Sequence, residues 1–536
     1  MKEIISKEDL QDPLVQGMTK IASIVKRTLG PGGLPILIER IGQQLNGDPL
    51  GPKITKDGVS VAVECSDPDP KIDLVIQAVK AICQQTNTKA GDGTTSAVVL
   101  GEAILLESLK VLKTDSQINP QMLRLEIEVA ANKIKEALKT IAVPVKDKNL
   151  ISKVAAISAN GDSDIGDIIG EAFSEVGVDG IITVDEGVGL HTTLTVVDGY
   201  QINRGAEARD RFFNARNNTT FEANNPIILV YDGDLNSYSL LISVLEKYAQ
   251  ATKKVEFPPI VLIANDFHPE VITWLLAQKM EIGLTVVPVK GPHTTYIRTG
   301  YYDDLVVLLG AQRLGNGNRS LTEANPKDFG TCEKVVVTKY TTTFYNGAGT
   351  EEAVLARVNH LRELKDVAES PYDAQLIGER LASLTQGIAK IGVGGATEFE
   401  IKEKYDRIED ALNAARAAIQ EGVVPGGGCA LLRLAEEVFP TSNQINLGEK
   451  ILRKALQTPF IQILENVGVP SELIQKLRLN ILAESNLVCN AQNLLIENFL
   501  AAGIVDPVKV TRTALENAVS IATLLSTAGG GIIIKK

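Results

Sequence analysis

At 536 residues the chain exceeds what a single hydrophobic core usually holds, so about two to four domains are expected. Apolar residues make up 44% and charged residues 22%, which excludes wholesale disorder. The net charge of −12, from 54 basic and 66 acidic residues, disfavours nonspecific attraction to nucleic acid or anionic membranes.

The start, MKEIISKEDL, has no apolar run of the kind a signal peptide needs, and no later stretch offers the ~18 uninterrupted apolar residues of a membrane span, so a cytoplasmic location is expected. Leu14, Met18, Ile21 and Val25 are spaced to line one face of a helix, which stops at Gly30-Pro31-Gly32-Gly33. A second helical run covers Ile72 to about Gln85, and the string GDGTTSAVVL opens a third helix near Thr94. From about 180 to 380 short apolar runs (PIILVYD, PPIVLIAND, LTVVPVKG) alternate with helical stretches such as 237–249, the texture of an α/β domain. After 420 the chain returns to alanine- and leucine-rich helices and closes with STAGGGIIIKK. Two similar ends around a different centre suggest one discontinuous helical domain carrying an inserted α/β domain. Gly199, Gly387, Pro144 and Gly422 flank these segments as hinges or as ordinary turns. Cys65, Cys83, Cys332, Cys429 and Cys489 are scattered and never form a CxxC pair, and the four histidines are isolated, so reduced packing thiols are expected rather than crosslinks or a zinc site.

The most informative string is Gly91-Asp92-Gly93-Thr94-Thr95-Ser96, between two helical runs. Free backbone N–H groups and the dipole at a helix start favour an anion such as phosphate, and the glycines permit close approach. Asp92 would repel phosphate unless a cation such as Mg2+ bridged the two. The plain alternative is a tight turn with a helix cap. Thr28-Leu29-Gly30-Pro31-Gly32-Gly33 presents backbone amides after a helix, or simply ends it. Ile54-Thr55-Lys56-Asp57-Gly58-Val59-Ser60 supplies a further carboxylate, or is a hairpin turn. Gly426-Gly427-Gly428 offers bare backbone to a ribose or base, or is a flexible joint. Asp410, in RIEDALNAARAAIQEG, reads as a charge near a helix N-terminus.

Taken together, in order, TLGPxG, ITKDGVSVA, AGDGTTxA, ISANxD, RxEDALxAxRAAxxEGVVxGGG and VDPxKVTR resemble the group I chaperonins of the GroEL type. The similarity runs over nearly the whole chain, dense at the two ends and sparse between about 206 and 380. It implies an α+β multidomain subunit with a mainly helical, discontinuous equatorial ATPase domain (1–141 and 422–536), a small intermediate domain (142–198 and 388–421) and an inserted α/β apical domain (199–387). It further implies ATP and Mg2+ as cofactors. Thr28, Leu29, Gly30, Pro31, Lys56, Gly91, Asp92, Gly93, Thr94, Thr95 and Ser96 would then hold the phosphates, with Asp92 as the metal ligand. Asp57 and Asp410 would orient and activate the attacking water. Gly427, Gly428, Asn490 and Asp506 would line the adenosine. Arg204 with Glu398, and Arg407 with Asp162, match two pairs that the family uses to bridge domains or subunits. Ile242 and Leu245 on one helix, and Ile272 and Leu276 on another, match the client-binding face, although residues at such spacing also build cores.

The sequence departs from the family at several points. GPGG stands where GPKG is usual, so a lysine is missing at Gly32. GAEARDRFFNARN places Ala206, Glu207, Arg209 and Asp210 where apolar groups would grip a client. GPHTTYIRTG and PFIQILENVGVPSE replace an apical loop and a charged inter-ring contact, and the closing isoleucines would pair with a neighbouring subunit or finish the chain's own sheet. The expected function is ATP-dependent folding of unfolded or partly folded client proteins in a homo-oligomeric ring, seven-membered by resemblance, with a co-chaperonin as a further candidate partner and neither nucleic acid nor membrane. The alternative is a divergent ring or scaffold paralogue that binds nucleotide and holds or regulates clients with little refolding.

Overall fold

The computed structural model describes all residues except 1, 40–51, 116, 146, 179, 188, 208–210, 215–219, 253–257, 293–294, 369, 386, 442–443 and 535–536. Its contacts divide the chain into two compact units: residues 1–171, 184–193 and 392–536 form the first, and residues 172–183 and 194–391 the second. Among the described residues no helix is long and apolar enough to cross a membrane.

The first stretch of the chain gives β1 (Lys2–Ile5), α1 (Lys7–Val25), β2 (Ile36–Ile38), β3 (Lys53–Thr55), α2 (Gly58–Glu64), α3 (Pro70–Ala90), α4 (Thr94–Thr114), α5 (Pro120–Thr140), α6 (Lys148–Ser158) and α7 (Ser163–Val176). Most of these helices start at a side-chain cap: Ser6, Asp57, Asp69, Asn119 and Asp147 each accept a hydrogen bond from an amide of the first turn.

The middle stretch gives β4 (Ile181–Glu186), β5 (Thr193–Val197), β6 (Gly199–Ile202), β7 (Phe221–Asn224), β8 (Ile227–Leu235), α8 (Ser239–Thr252), β9 (Ile260–Phe267), α9 (Pro269–Ile282), β10 (Val286–Lys290), α10 (Thr295–Leu309), β11 (Arg313–Gly315), β12 (Gly330–Val337), β13 (Thr342–Gly347), α11 (Glu351–Asp366), α12 (Pro371–Thr385) and β14 (Ile388–Val393). Strands run in the order β10-β9-β8-β12-β13-β6, with β11 beside β8 and β7 beside β12. β8, β9 and β10 are parallel, as their helical crossovers require, whereas β12 is antiparallel to β8 and β13. Parallel strands covered on both faces read as continuous apolar runs, and Ile260 to Ala264 are all buried accordingly. Alternation of strand and helix between 180 and 380 is thus borne out.

The last stretch gives α13 (Glu398–Glu421), β15 (Val423–Pro425), α14 (Cys429–Val438), α15 (Leu447–Ala455), α16 (Thr458–Asn466), α17 (Ser471–Ala483), β16 (Leu487–Cys489), β17 (Ile496–Asn498), α18 (Phe499–Ala502), β18 (Val505–Pro507), α19 (Val508–Ser526) and β19 (Gly531–Ile534). The two ends of the sequence meet here. Leu515, Ala518 and Ala522 of α19 share one core with Leu100 and Ile104 of α4 and with Met18 and Ile21 of α1. Gly101 allows the close approach, since a Cβ there would sit 3.2 Å from Met18. The closing isoleucines finish the chain's own sheet: β19 pairs antiparallel with β1, Ile5 opposite Gly531 and Lys2 opposite Ile534.

Candidate functional site

The start of α4 is built to leave its amides open. Gly91, at φ 72°, ends α3, and Gly93, at φ 84°, is the N-cap of α4 with no side chain to satisfy the first turn. Thr94 is 5% exposed, and its Oγ1 is buried without a hydrogen-bond partner. A buried hydroxyl beside an uncapped helix start is an unmet demand for an acceptor, which a phosphate oxygen would supply. Two other segments converge on this point. Thr28 Oγ1 lies 3.2 Å from Thr95 Oγ1, and a Cβ on Gly58 would fall 2.3 Å from Thr95 Oγ1. Asn466 fixes the Thr28 loop from below by donating to the carbonyls of Lys26 and Leu29, both at 2.9 Å.

These segments frame a cavity of about 440 Å³, within the range of small-molecule clefts (about 300–1,000 Å³). Thr28, Leu29, Gly30, Pro31, Lys56, Asp57, Asp92 through Ser96, Asp410, Gly427, Gly428, Asn490 and Asp506 all line it. Gly91 stands outside the lining. Its role is packing: a Cβ there would be 2.4 Å from Asn413 on α13.

One wall is acidic. Asp57 caps α2, its two oxygens accepting from Val59 N–H at 3.0 Å and Ser60 N–H at 2.9 Å. The ITKDGVS stretch is therefore a strand end and a helix cap, not a hairpin turn. Asp92 accepts from the Gly93 amide and, at 2.8 Å, from Ser158 Oγ. Burial pushes the Asp92 carboxyl above its ordinary range, and the Asp57 charge adds to this against the two hydrogen bonds. Asp410 is raised well above its ordinary value, first by burial and then by Asp92, Asp57, Glu409 and Asp406. Because α13 begins at Glu398, Asp410 lies mid-helix rather than near the N-terminus, so the dipole offers it no stabilisation. Carboxylates crowded beside uncapped amides suit a cation together with an anion. Among the described residues no three His, Cys, Asp or Glu groups could hold a metal ion by themselves, so phosphate oxygens or water would have to complete the coordination of a Mg2+ at Asp92.

A further part of the lining is backbone and one carboxylate. β15 pairs with β18, Val424 opposite Asp506, and the triplet Gly426-Gly427-Gly428 turns from β15 into α14. A Cβ on Gly428 would meet the Phe460 amide nitrogen at 2.6 Å. Burial raises Asp506 to about 7, opposed by hydrogen bonds from the Gly428 and Gly427 amides. Asn490 Oδ1 accepts from the Gln492 amide at 3.0 Å, which fixes the loop beside it.

The model of the TCP-1/cpn60 chaperonin family matches residues 21–527. The chain belongs to this family. Two solved structures share its architecture: chaperonin gp146 from bacteriophage EL 2 (Pseudomonas aeruginosa) in the presence of ATP-BeFx, in two crystal forms. Form II superposes with a TM-score of 0.70 at 21% identity and form I with 0.63 at 20%, each over 99% of both chains. The chain is thus a divergent GroEL-type chaperonin with that multidomain fold, and a chaperone function in general follows.

One of the chaperonin's departures has a physical reason in its packing. At Gly32 a Cβ would lie 2.3 Å from Val467 Cγ1 and 2.9 Å from the Asn466 carbonyl, so this loop leaves no room for the family's lysine. Arg407 pairs with Asp162 at 3.0 Å; Arg204 lies in the second unit and Glu398 in the first. In the second unit, Ile242 and Leu245 on α8 and Ile272 and Leu276 on α9 are all half-buried, and Leu245, Ile272 and Leu276 pack against that unit's core. The faces of α8 and α9 are anchored by fully buried neighbours, Leu241, Val244, Val271 and Leu275. Ala206 is buried rather than lining a groove, and Glu207 pairs with Lys290 at 3.6 Å. Arg209 and Asp210, with His293 and Thr294 of the GPHTTYIRTG stretch, lie outside the described residues.

Sequence reasoning missed several members of the site. Ser158 sits in the ISAN string, yet nothing local marks its hydroxyl as a ligand of Asp92. Lys153, on the same helix, donates to the carbonyls of Leu500 at 2.9 Å and Ala501 at 3.3 Å and so braces α18 beside the cavity. Asp406 lines the cavity and forms an ion pair at 3.4 Å with Lys53, outside the lining, that only folding brings together.

Proposed function

We propose that the chain is an ATP-dependent folding chaperone in which the cavity of the first unit binds and hydrolyses Mg-ATP. The observation that carries this reading is the convergence of Asp57, Asp92 and Asp410 on one cavity beside the uncapped start of α4. The α4 amides with Thr94, Thr95 and Ser96 hold the phosphates, and the Thr28–Pro31 loop closes over them. Asp57 and Asp410 orient the attacking water and take its proton. Asp506 and the Gly427-Gly428 backbone hold the ribose and base. A bound Mg2+ would offset phosphate charge at Asp92. The crystallisation of gp146 in the presence of ATP-BeFx supports nucleotide binding by this chain.

On this reading residues 1–141 and 422–536 are the equatorial domain, 142–198 and 388–421 the intermediate domain and 199–387 the apical domain, and subunits assemble as a cytoplasmic homo-oligomeric ring. Turnover depends on α13 carrying Asp410 to the cavity, so movement of that helix gates hydrolysis. The test is steady-state ATP hydrolysis beside equilibrium ATP binding. Asp410→Ala is expected to bind ATP like the wild type but to turn over at least ~10-fold more slowly; equal rates would remove Asp410 from the mechanism.

A second reading, a holding or regulatory paralogue with little refolding power, is favoured by the half-burial of Leu245, Ile272 and Leu276 against the core. Refolding of a denatured client with ATP and a co-chaperonin separates the two, because only the first expects recovery above the spontaneous yield.

A further inference from the structure

Lys53 and Asp406 occupy matching places on the two segments that bring carboxylates to the cavity. Lys53 opens β3, four residues before Asp57, and Asp406 lies one helical turn before Asp410 on α13. Lys53 Nζ donates to Ser60 Oγ at 2.8 Å, so it is held from the Asp57 side, on the very helix that Asp57 caps. From there it reaches Asp406 Oδ2 at 3.4 Å. Neighbouring ion pairs on α13 have different partners: Lys404 bonds Glu400 and Arg407 bonds Glu403 within the helix, and Arg407 also bonds Asp162.

We propose that Lys53 and Asp406 are positioning residues that hold α13 with Asp410 against the cavity, a role that rests on the reading of Asp410 as the group acting on the attacking water. The physical need is plain. Bringing α13 to the cavity crowds Asp406 and Asp410 against Asp57 and Asp92, and every one of these charges opposes the approach. Lys53 places a cation between the two acidic segments, so the approach that costs repulsion elsewhere gains an attraction here. With both side chains a quarter to a third exposed (23% and 33%), the pair contributes modestly, enough to bias the seating of α13 without locking it.

The test is a double-mutant cycle on the full chain with Lys53→Met, Asp406→Asn and the double variant, reading turnover and ATP affinity separately, with Asp410→Ala as control. Each single variant is expected to lower kcat about fivefold with Kd for ATP within about twofold of wild type. The double variant is expected to be no slower than either single, because the pair is lost only once. Charge reversal, Lys53→Asp with Asp406→Lys, should recover most of the lost rate, which a merely structural defect would not allow. Unchanged kcat in the single variants, additive losses, or loss of ATP affinity at constant kcat would each overturn the proposal. If Asp410→Ala itself hydrolyses ATP at the wild-type rate, the reading of Asp410 fails first and the positioning role falls with it; a slow Asp410→Ala beside normal Lys53 and Asp406 variants sinks the pair alone.

Discussion

The two units solve opposite problems with their side chains. In the first, polar groups separated by hundreds of residues in sequence are drawn to one cavity, and several are left partly unsatisfied there: an orphan hydroxyl at Thr94, and carboxyls at Asp92 and Asp410 forced above their ordinary range. In the second, the candidate client residues are apolar and mostly satisfied, since Leu245, Ile272 and Leu276 already touch the core. Unmet hydrogen-bonding and charge demand identifies a ligand site more sharply than half-buried apolar area does, because an unpaired buried polar group costs about 1–3 kcal/mol whereas partial burial of a leucine is ordinary.

The contrast can be broken first at the cavity. Asp410→Ala, slowing turnover at least ~10-fold with binding intact, would make the acidic wall catalytic rather than merely crowded. Next in size is the core of the second unit. Leu275, fully buried, should cost about 2–5 kcal/mol when changed to Ala, visible as a lowered denaturation midpoint. Gly91→Ala should cost about 1–3 kcal/mol, because its Cβ would strike Asn413 and φ is 72°; a neutral result in chemical denaturation would mean that α13 is not held closely against α3.

A pH experiment sharpens the same comparison. Unfolded Asp506 titrates at ~3.9 and burial raises it to about 7 in the folded chain, which therefore retains a proton that the unfolded chain releases. Its stabilising contribution is full below the lower value and is lost as pH rises through the upper one. Asp506→Asn, which escapes that loss, should therefore raise Tm in nucleotide-free protein more at pH 8 than at pH 5; an equal change at both would contradict the burial of this carboxyl. The smallest effect is expected from Ile242→Asn, which should shift Tm by only about 1–2 °C while weakening capture of a denatured client. If capture is unchanged, the α8–α9 face is not the gripping surface.

Much of this was legible before folding. The glycine-threonine string at 91–96, the apolar runs of the parallel strands and the helical ends each carry a local pattern, and each appears where its pattern puts it. What stayed hidden is what depends on long-range approach. Asp410 reads locally as a charge near a helix start, and the start of α13 at Glu398, well before it, shows otherwise. The turn alternative stays open for Asp57 in sequence because a short strand before it and a short helix after it leave little periodicity to read. The missing lysine at Gly32 was visible, but its reason, the packing of Asn466 and Val467 against that loop, comes from a helix far along the chain. Leu245, Ile272 and Leu276 show a helical stripe that fits a core and a binding face equally well.

The most direct measurement is the calorimetric binding of ATP to the full chain with and without Mg2+, for wild type and Asp92→Asn. Saturable, Mg2+-strengthened binding by the wild type, with that strengthening lost in Asp92→Asn, is the expected result. No binding by the wild type, or identical Mg2+ dependence in both proteins, would contradict a Mg-ATP site built around Asp92.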